Sequence, residues 1–91
     1  MTEWIVYIIR CRDQSLYTGI TTDLARRCTE HAGSGRGAKA LRGKTPLKLV
    51  WSRKVASRSE ASRMEHWIKQ MSKEQKEGLV LQDGHAEDHW T

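Results

Sequence analysis

The chain has 91 residues, which allows one domain with a modest core and excludes a large internal cavity for a small-molecule substrate. With 37% apolar and 30% charged residues and four tryptophans, its composition is that of a folded protein and excludes a disordered one. The formal net charge is +5, and the stretch from Arg26 to Arg63 contains eleven lysines and arginines but only two acidic residues. Such a stretch predicts binding to nucleic acid, although a solvated basic surface has the same composition.

Two further classes of protein are excluded by pattern. No run approaches the roughly 18 apolar residues of a membrane span, and the N-terminus lacks the apolar region of a signal peptide, so a cytoplasmic protein without membrane contact is expected. The two cysteines, Cys11 and Cys28, do not form a CxxC motif. Neither a zinc site nor a disulfide scaffold is therefore predicted, and both are expected to be buried thiols.

The first predicted elements are two strands, at residues 4–9 and 16–20. The first is continuously apolar and β-branched, which is typical of a strand buried on both faces. Polar turn residues separate the two runs, so an antiparallel hairpin is predicted. A turn centred near Arg12 would place Tyr7 and Tyr17 opposite each other on one face. Gly19 is interpreted as a structural turn, where the backbone bends or approaches another group closely.

A helix is predicted from the capping residues Thr22 and Asp23 to about residue 32. One face of this helix, at positions i, i+3, i+4 and i+7, carries Leu24, Arg27, Cys28 and His31. A cation is costly to bury unless it is paired, so an arginine and a histidine on the face that meets the sheet indicate a specific role. Hydrogen bonding to a core carbonyl is the alternative explanation.

The second half of the chain supplies one strand and two helices. A glycine-rich basic loop at residues 33–46, which is not a Walker A loop, precedes a third strand at 47–55. Capping boxes at Ser57 and Ser72 begin helices that end near Gln70 and Leu81. Residues 1–82 are therefore predicted to form a single α+β domain, and residues 83–91 a flexible tail.

Several reactive side chains recur at spacings that one small site could use, namely Tyr7, Tyr17, Arg27, His31 and Glu65. Phosphodiester cleavage needs a base, for which a phenol serves if nearby positive charge lowers its pKa from about 10. It also needs a cation that stabilises the phosphate, as arginine does, and a carboxylate that holds a divalent ion. Each residue also has a structural explanation: strand packing for the tyrosines, and an exposed ion pair with Lys69 for Glu65.

The order of these residues resembles the GIY-YIG nuclease superfamily, in particular its small single-domain bacterial members. Ile5-Val6-Tyr7 and Tyr17-Thr18-Gly19 correspond to the two halves of the motif, with Ile5 and Thr18 where the family usually has glycine and isoleucine. The resemblance covers residues 4–82. It implies a three-stranded antiparallel sheet flanked by three helices, which agrees with the elements predicted above.

The resemblance also implies roles in a DNA endonuclease that uses one divalent ion. Tyr7 or Tyr17 would help to deprotonate the attacking water, and the choice between them stays open. Arg27 would stabilise the phosphate and His31 would orient or assist the tyrosine. Glu65 would bind Mg²⁺ or Mn²⁺, and it is preferred over Glu60, which lies in a capping box.

DNA is expected to dock on the basic segment from Arg36 to Lys54 through phosphates rather than base edges, so low sequence specificity is predicted. The candidate phosphate-binding residues are Arg26, Arg36, Lys39, Arg42, Lys44 and Lys48. The substrate is expected to be branched, damaged or single-stranded DNA, possibly in DNA repair or processing. The main alternative is a non-catalytic module that binds DNA or RNA, and a weaker one is an accessory that binds an acidic protein partner.

Overall fold

The structure of the protein, a computed structural model, describes residues 3–29, 47–83 and 88–89. Its elements are β1 (Trp4–Arg10), β2 (Leu16–Thr21), α1 (Leu24–Thr29), β3 (Lys48–Val55), α2 (Arg58–Lys69), α3 (Lys73–Asp83) and β4 (Asp88–His89). The strands form one antiparallel sheet in the order β2-β1-β3-β4. The prediction of an α+β fold, with a three-stranded antiparallel sheet and three helices, is confirmed, and the two-residue β4 extends that sheet. No helix in the described part of the chain is both long and apolar enough to cross a membrane.

The C-terminal region differs in detail from the expectation that no element follows residue 82. The helix α3 reaches Asp83, and β4 pairs with Lys48 and Leu49 at the start of β3. The flexibility of residues 83–91 stays a prediction. The predicted end of the first helix near residue 32 and the glycine-rich loop at 33–46 lie outside the described residues.

The central strand β1 is buried on both faces, as its apolar sequence predicts. On one face Tyr7 and Ile9 pack with Cys11, Leu47 and Leu49, and Leu24 of α1 covers this cluster. On the other face Val6 and Ile8 pack with residues of β3 and of α2, and the cluster comprises Val6, Ile8, Val50, Trp51, Ala61 and Ile68. Each such aliphatic side chain contributes about 1.5–3 kcal/mol when it is fully buried. Because both layers depend on it, β1 is the main structural element of the fold.

The turn between β1 and β2 is centred one residue later than Arg12. Cys11 closes it by donating its backbone N–H to the carbonyl of Ser15 at 2.9 Å, and the Asp13 carboxylate accepts from the backbone N–H of Ser15 at 3.0 Å. Gln14 adopts a left-handed conformation with φ of 69°. The hairpin is therefore held by local side-chain and backbone hydrogen bonds typical of turn residues.

This turn changes the predicted pairing of the two tyrosines. Tyr7 lies opposite Gly19, and Tyr17 lies opposite Ile9, so the phenols are diagonal neighbours and the prediction that they face each other directly is wrong. A shift of two residues preserves the face on which a side chain lies, so both tyrosines still share one side of the sheet. The interpretation of Gly19 as a structural turn is wrong, because β2 continues through it to Thr21, but the alternative that another group approaches the backbone closely there is confirmed by the Tyr7 ring.

Both capping boxes predicted from the sequence are present. The hydroxyl of Ser57 accepts from the backbone N–H of Glu60 at 3.2 Å, while the Glu60 carboxylate accepts from the N–H of Ala56 at 3.0 Å. At α3, Ser72 and Gln75 each accept the other's backbone N–H, at 3.2 and 2.9 Å. Glu60 therefore satisfies an otherwise unpaired donor beside the start of α2, which gives it a structural explanation.

The helix α3 is tied to the sheet by a two-point ion pair. Both terminal nitrogens of Arg10 donate to the carboxylate of Glu77, each at 2.7 Å, and both side chains are less than one-third exposed. The hydrogen bonds from Arg10 hold the pKa of Glu77 below its ordinary value. A bidentate pair of this kind contributes about 1 kcal/mol once solvent screening is taken into account.

Thr18 is a polar residue in the apolar layer between the sheet and α2. It is 3% exposed, and its hydroxyl has no hydrogen-bond partner among the residues that the structure describes. An unsatisfied buried hydroxyl is destabilising, so we expect Thr18→Val to raise the free energy of unfolding by about 1 kcal/mol in urea titrations. Thr21→Val is the matched control, because the Thr21 hydroxyl both donates to and accepts from the backbone of Asp23. That variant should be destabilised, and equal effects of the two changes would contradict the explanation.

Candidate active site

Tyr7 lies at the centre of the candidate site. Its side chain extends from β1 across the edge strand β2, and a Cβ atom added at Gly19 would lie 2.6 Å from Cζ of the ring. Tyr7 is fully buried, and its ring centroid lies 6.5 Å from that of Tyr17, with the planes tilted by 42°. The glycine of the second motif half is thus required because its missing side chain leaves space for the phenol.

Arg27 reaches the same phenol from α1. This helix begins at the capping residue Asp23, whose carboxylate accepts from the backbone N–H of Arg26 at 3.1 Å. Leu24 packs against the Tyr7 face of the sheet, and Arg27, three residues later on the same side of the helix, donates a hydrogen bond to the Tyr7 phenol. The half-buried arginine therefore has a defined partner in the core, as its position on the sheet-facing side predicts.

Glu65 approaches the site from α2. It lies on the helix beside Ala61 and Ile68, which are buried against the sheet, and α2 packs across both β2 and β1. Its side chain is 24% exposed and pairs with Lys69 at 3.4 Å. The negative charge of Glu65 also raises the pKa of Tyr7, so the carboxylate lies within electrostatic range of the phenol. Glu65 therefore lies near the Tyr7 phenol and not on a surface far from it.

The pKa of Tyr7 reports how these groups act on one another. Burial is the largest effect and raises the pKa of Tyr7 to about 12, against the hydrogen bond and positive charge of Arg27, which lower it. The charges of Tyr17 and Glu65 raise it further. The Tyr7 phenol is therefore neutral at pH 7 in the free protein, and two phenols, one guanidinium and one carboxylate interact at this place.

The other sequence-predicted residues are not all brought to this place. Arg26 is exposed on α1. Lys48 lies opposite Arg10, whose guanidinium binds α3, so Lys48 belongs to the face of the sheet opposite to that of Tyr7. Five predicted site residues lie outside the described part of the chain: His31, Arg36, Lys39, Arg42 and Lys44.

Two residues near the site were not named as candidate site residues, although Lys54 ends the basic segment that was expected to dock DNA. Ser52 is the β3 partner of Tyr7, and Lys54 lies on the same face two residues further along β3. A register shift between Ile8 and Ile9 decides which β3 residues share that face. The sequence pattern of β3 does not contain this shift, so the charge of Lys54 was visible in the sequence but the face on which it and Ser52 lie was not.

The lone Glu65 carboxylate fits the one-ion site that the resemblance implies. No group of three or more histidines, cysteines or carboxylates is assembled within the described residues. Mg²⁺ does not need such a cluster, because it keeps several water ligands and binds proteins through one or two carboxylates together with substrate phosphates. The half-buried position of Glu65 near the phenols suits that mode.

Residues 3–78 match the family of the GIY-YIG catalytic domain, and the chain belongs to that family. The family consists generally of endonucleases, typically dependent on a divalent metal ion, so a nucleic-acid substrate is indicated in general terms.

Particular relatives are small bacterial members of the family. The chain is similar to a UPF0213 protein of Cronobacter sakazakii, with 61% identity over 88% of this chain and 83% of the relative. A UPF0213 protein of Vibrio cholerae is 58% identical over 87% of this chain and 78% of the relative. Among solved structures, the UPF0213 protein BH0048 of Bacillus halodurans has 46% identity and a TM-score of 0.61, over 90% of this chain and 86% of that one. The protein EF2693 of E. faecalis has 35% identity and a TM-score of 0.64, over 94% and 95%.

Gly19→Ala tests whether the phenol needs the space above β2. The added methyl group would overlap the buried Tyr7 ring, so we expect the free energy of unfolding to fall by about 1–3 kcal/mol. Gly78→Ala is the control, since Gly78 lies in α3 with nothing within 4 Å of an added Cβ. Alanine favours a helix, so that variant should gain about 0.5–1 kcal/mol. Urea unfolding measures both, and a tolerated Gly19→Ala would contradict the packing argument.

Proposed function

We propose that the protein is a metal-dependent endonuclease that hydrolyses DNA phosphodiester bonds with low sequence specificity. The supporting observation is that Arg27 from α1, Glu65 from α2 and Tyr17 from β2 all act on the pKa of one buried tyrosine, Tyr7. Residues that are distant in the sequence thus converge on one small place. Structural packing alone does not require an arginine, a carboxylate and two phenols within mutual electrostatic range.

In the proposed reaction, a water oxygen bonds to phosphorus, one ester P–O bond breaks, and the leaving oxygen receives a proton. Arg27 is suited to stabilise the charge that builds on the phosphate oxygens, because a guanidinium donates paired hydrogen bonds. Glu65 would hold the divalent ion, and Mg²⁺ or Mn²⁺ supplies charge stabilisation at the phosphate and the leaving oxygen when it is bound. Lys69 forms an ion pair with the Glu65 carboxylate at 3.4 Å in the free protein.

Tyr17 is the better candidate for the base that takes the proton from the attacking water. It is half-buried, whereas Tyr7 is fully buried and its pKa is raised to about 12. A general base must reach the proton that it removes, either directly or through one water molecule. Tyr7 would instead position Arg27 and Tyr17. His31 keeps its proposed role of orienting or assisting the tyrosine.

The proposed substrate is DNA in branched, damaged or single-stranded form, which suits repair or processing. Cleavage would occur at an open surface of a small domain, where phosphates rather than base edges are contacted. A positively charged chain also favours a polyanionic substrate.

Glu65→Gln should lower the rate of cleavage of plasmid or branched oligonucleotides by at least about 100-fold in Mg²⁺ or Mn²⁺, because the ligand for the ion loses its charge. Glu60→Gln is the matched control from the same helix and should retain activity, since Glu60 accepts a backbone hydrogen bond away from the phenols. Thermal melting followed by circular dichroism would show that both variants fold.

Two outcomes would contradict the endonuclease proposal. Equal losses in Glu65→Gln and Glu60→Gln would assign Glu65 no specific role. Wild-type protein that binds DNA but never cleaves it with either metal ion would favour a non-catalytic nucleic-acid-binding module.

Binding that is unchanged between about 50 and about 200 mM salt would argue against any mode dominated by phosphate contacts.

The assignment of the base predicts that Tyr17→Phe lowers the rate of cleavage more than Tyr7→Phe does. A general base contributes about 10²–10⁴-fold to a rate, so Tyr17→Phe should lose at least about 100-fold, whereas Tyr7→Phe removes a positioning contact to Arg27 and should lose about tenfold. Single-turnover cleavage assays measure both rates, and a larger loss in Tyr7→Phe would make Tyr7 the base.

A further inference from the structure

The face of the sheet that contains Tyr7 continues past the phenol as a row of side chains. The two partners of Tyr7 across the ladder are Gly19 on β2 and Ser52 on β3. The next row on the same face consists of Thr21, Ile5 and Lys54. Residues directly opposite one another in antiparallel strands share a face, so these rows follow from the register.

The two ends of this face differ in character. At one end the apolar cluster of Ile9, Leu47 and Leu49 is buried and covered by Leu24 of α1. At the other end Ile5 is only half-buried and Lys54 is exposed. A polymer that contacts the site can therefore extend over the sheet towards Ile5 and Lys54, whereas the apolar end is closed.

Lys54 differs from the other cations near this face in having no side-chain partner within residues 3–29 and 47–82. Lys69 pairs with Glu65, and Arg27 donates to Tyr7. No carboxylate in residues 3–29 and 47–82 lies within ion-pair distance of Lys54. An exposed ammonium without a counter-ion, on the same face as the site, is a ready partner for an anion.

We propose that Lys54 binds a backbone phosphate of the substrate strand close to, but not adjacent to, the scissile one, so that the strand lies over the row formed by Ile5 and Lys54. This assignment rests on the proposed function. Lys54 lies two strands away from Gly19, over which the Tyr7 phenol packs, and one row further along the face. At about 4.8 Å per strand and about 7 Å per row, Lys54 is about 12 Å from the site, a distance that an extended nucleic-acid strand spans in about two phosphate steps. Ile5 offers the strand an apolar surface beside Lys54.

The test compares Lys54→Gln with Arg53→Gln. The two residues are adjacent and equally charged, but Arg53 lies on the opposite face, with its guanidinium 5.5 Å from the Trp51 ring centroid. Binding of single-stranded oligothymidylate is measured over a range of salt concentrations without divalent ions, so that no cleavage occurs. Lys54→Gln should reduce the slope of log K against log salt by about 0.7, the loss of one phosphate contact, and Arg53→Gln should change it much less.

The outcomes separate this inference from the proposed function. Equal effects of the two substitutions would indicate a diffuse positive field, and no effect of Lys54→Gln would exclude the contact, so either result overturns the inference. If wild type cleaves DNA but Lys54→Gln binds normally, the inference fails alone. If Lys54→Gln selectively loses the slope but wild type never cleaves, the docking surface stands and the endonuclease proposal fails. Retention of the slope in Lys54→Arg would support a charge contact rather than a structural role.

Discussion

The packing of Tyr7 over Gly19 is the contact on which the rest of the structure depends. It sets the hairpin register on the side of the sheet that α1 covers, and it places a phenol hydroxyl inside the core. A buried hydroxyl is costly unless it is hydrogen-bonded, and Arg27 satisfies it. The arginine is in turn a cation that needs a partner when it is half-buried. One contact therefore explains a glycine, a tyrosine and an arginine that are separated along the chain.

One face of the sheet is mainly structural, and the other contains the candidate site. The face covered by α2 and α3 is mainly structural, with a continuous apolar cluster and the Arg10–Glu77 ion pair that ties α3 to β1. The face with Tyr7 is apolar under α1 and becomes polar and exposed towards Lys54. Because β1 is buried on both faces, any change in its register would disturb the core and the candidate site together. Stability and chemistry are thus coupled through this strand.

Helix α2 packs on the structural face and also contributes a residue to the candidate site. Ala61 and Ile68 anchor it to the structural face, and Glu65 lies between them at the margin of that contact. Its negative charge reaches a phenol on the opposite face because α2 packs across the edge strand β2, where Gly19 presents no side chain. A carboxylate at the edge of a packed helix is held in place, yet it is exposed enough to take part in ligand binding. A carboxylate that is fixed in place and partly exposed is suited to bind a cation that also contacts a substrate phosphate.

The sequence by itself determined the elements and supplied the candidate residues of the site. Periodicity identified the three main strands and three helices, and the capping patterns located Ser57 and Ser72, because these signals depend on neighbouring residues. It also selected Arg27, which lies on the sheet-facing side of its helix as periodicity requires.

Tertiary structure alone decided the pairing of Tyr7 with Gly19, the face on which Lys54 lies, and the extension of the sheet by β4. These features follow from a turn centred one residue away from the expected position and from a register shift beside Ile8. Both arise from hydrogen bonds between strands. The turn shifts the hairpin pairing by two residues and leaves each side chain on its face, whereas the one-residue shift beside Ile8 moves β3 side chains from one face to the other while the local sequence pattern stays the same.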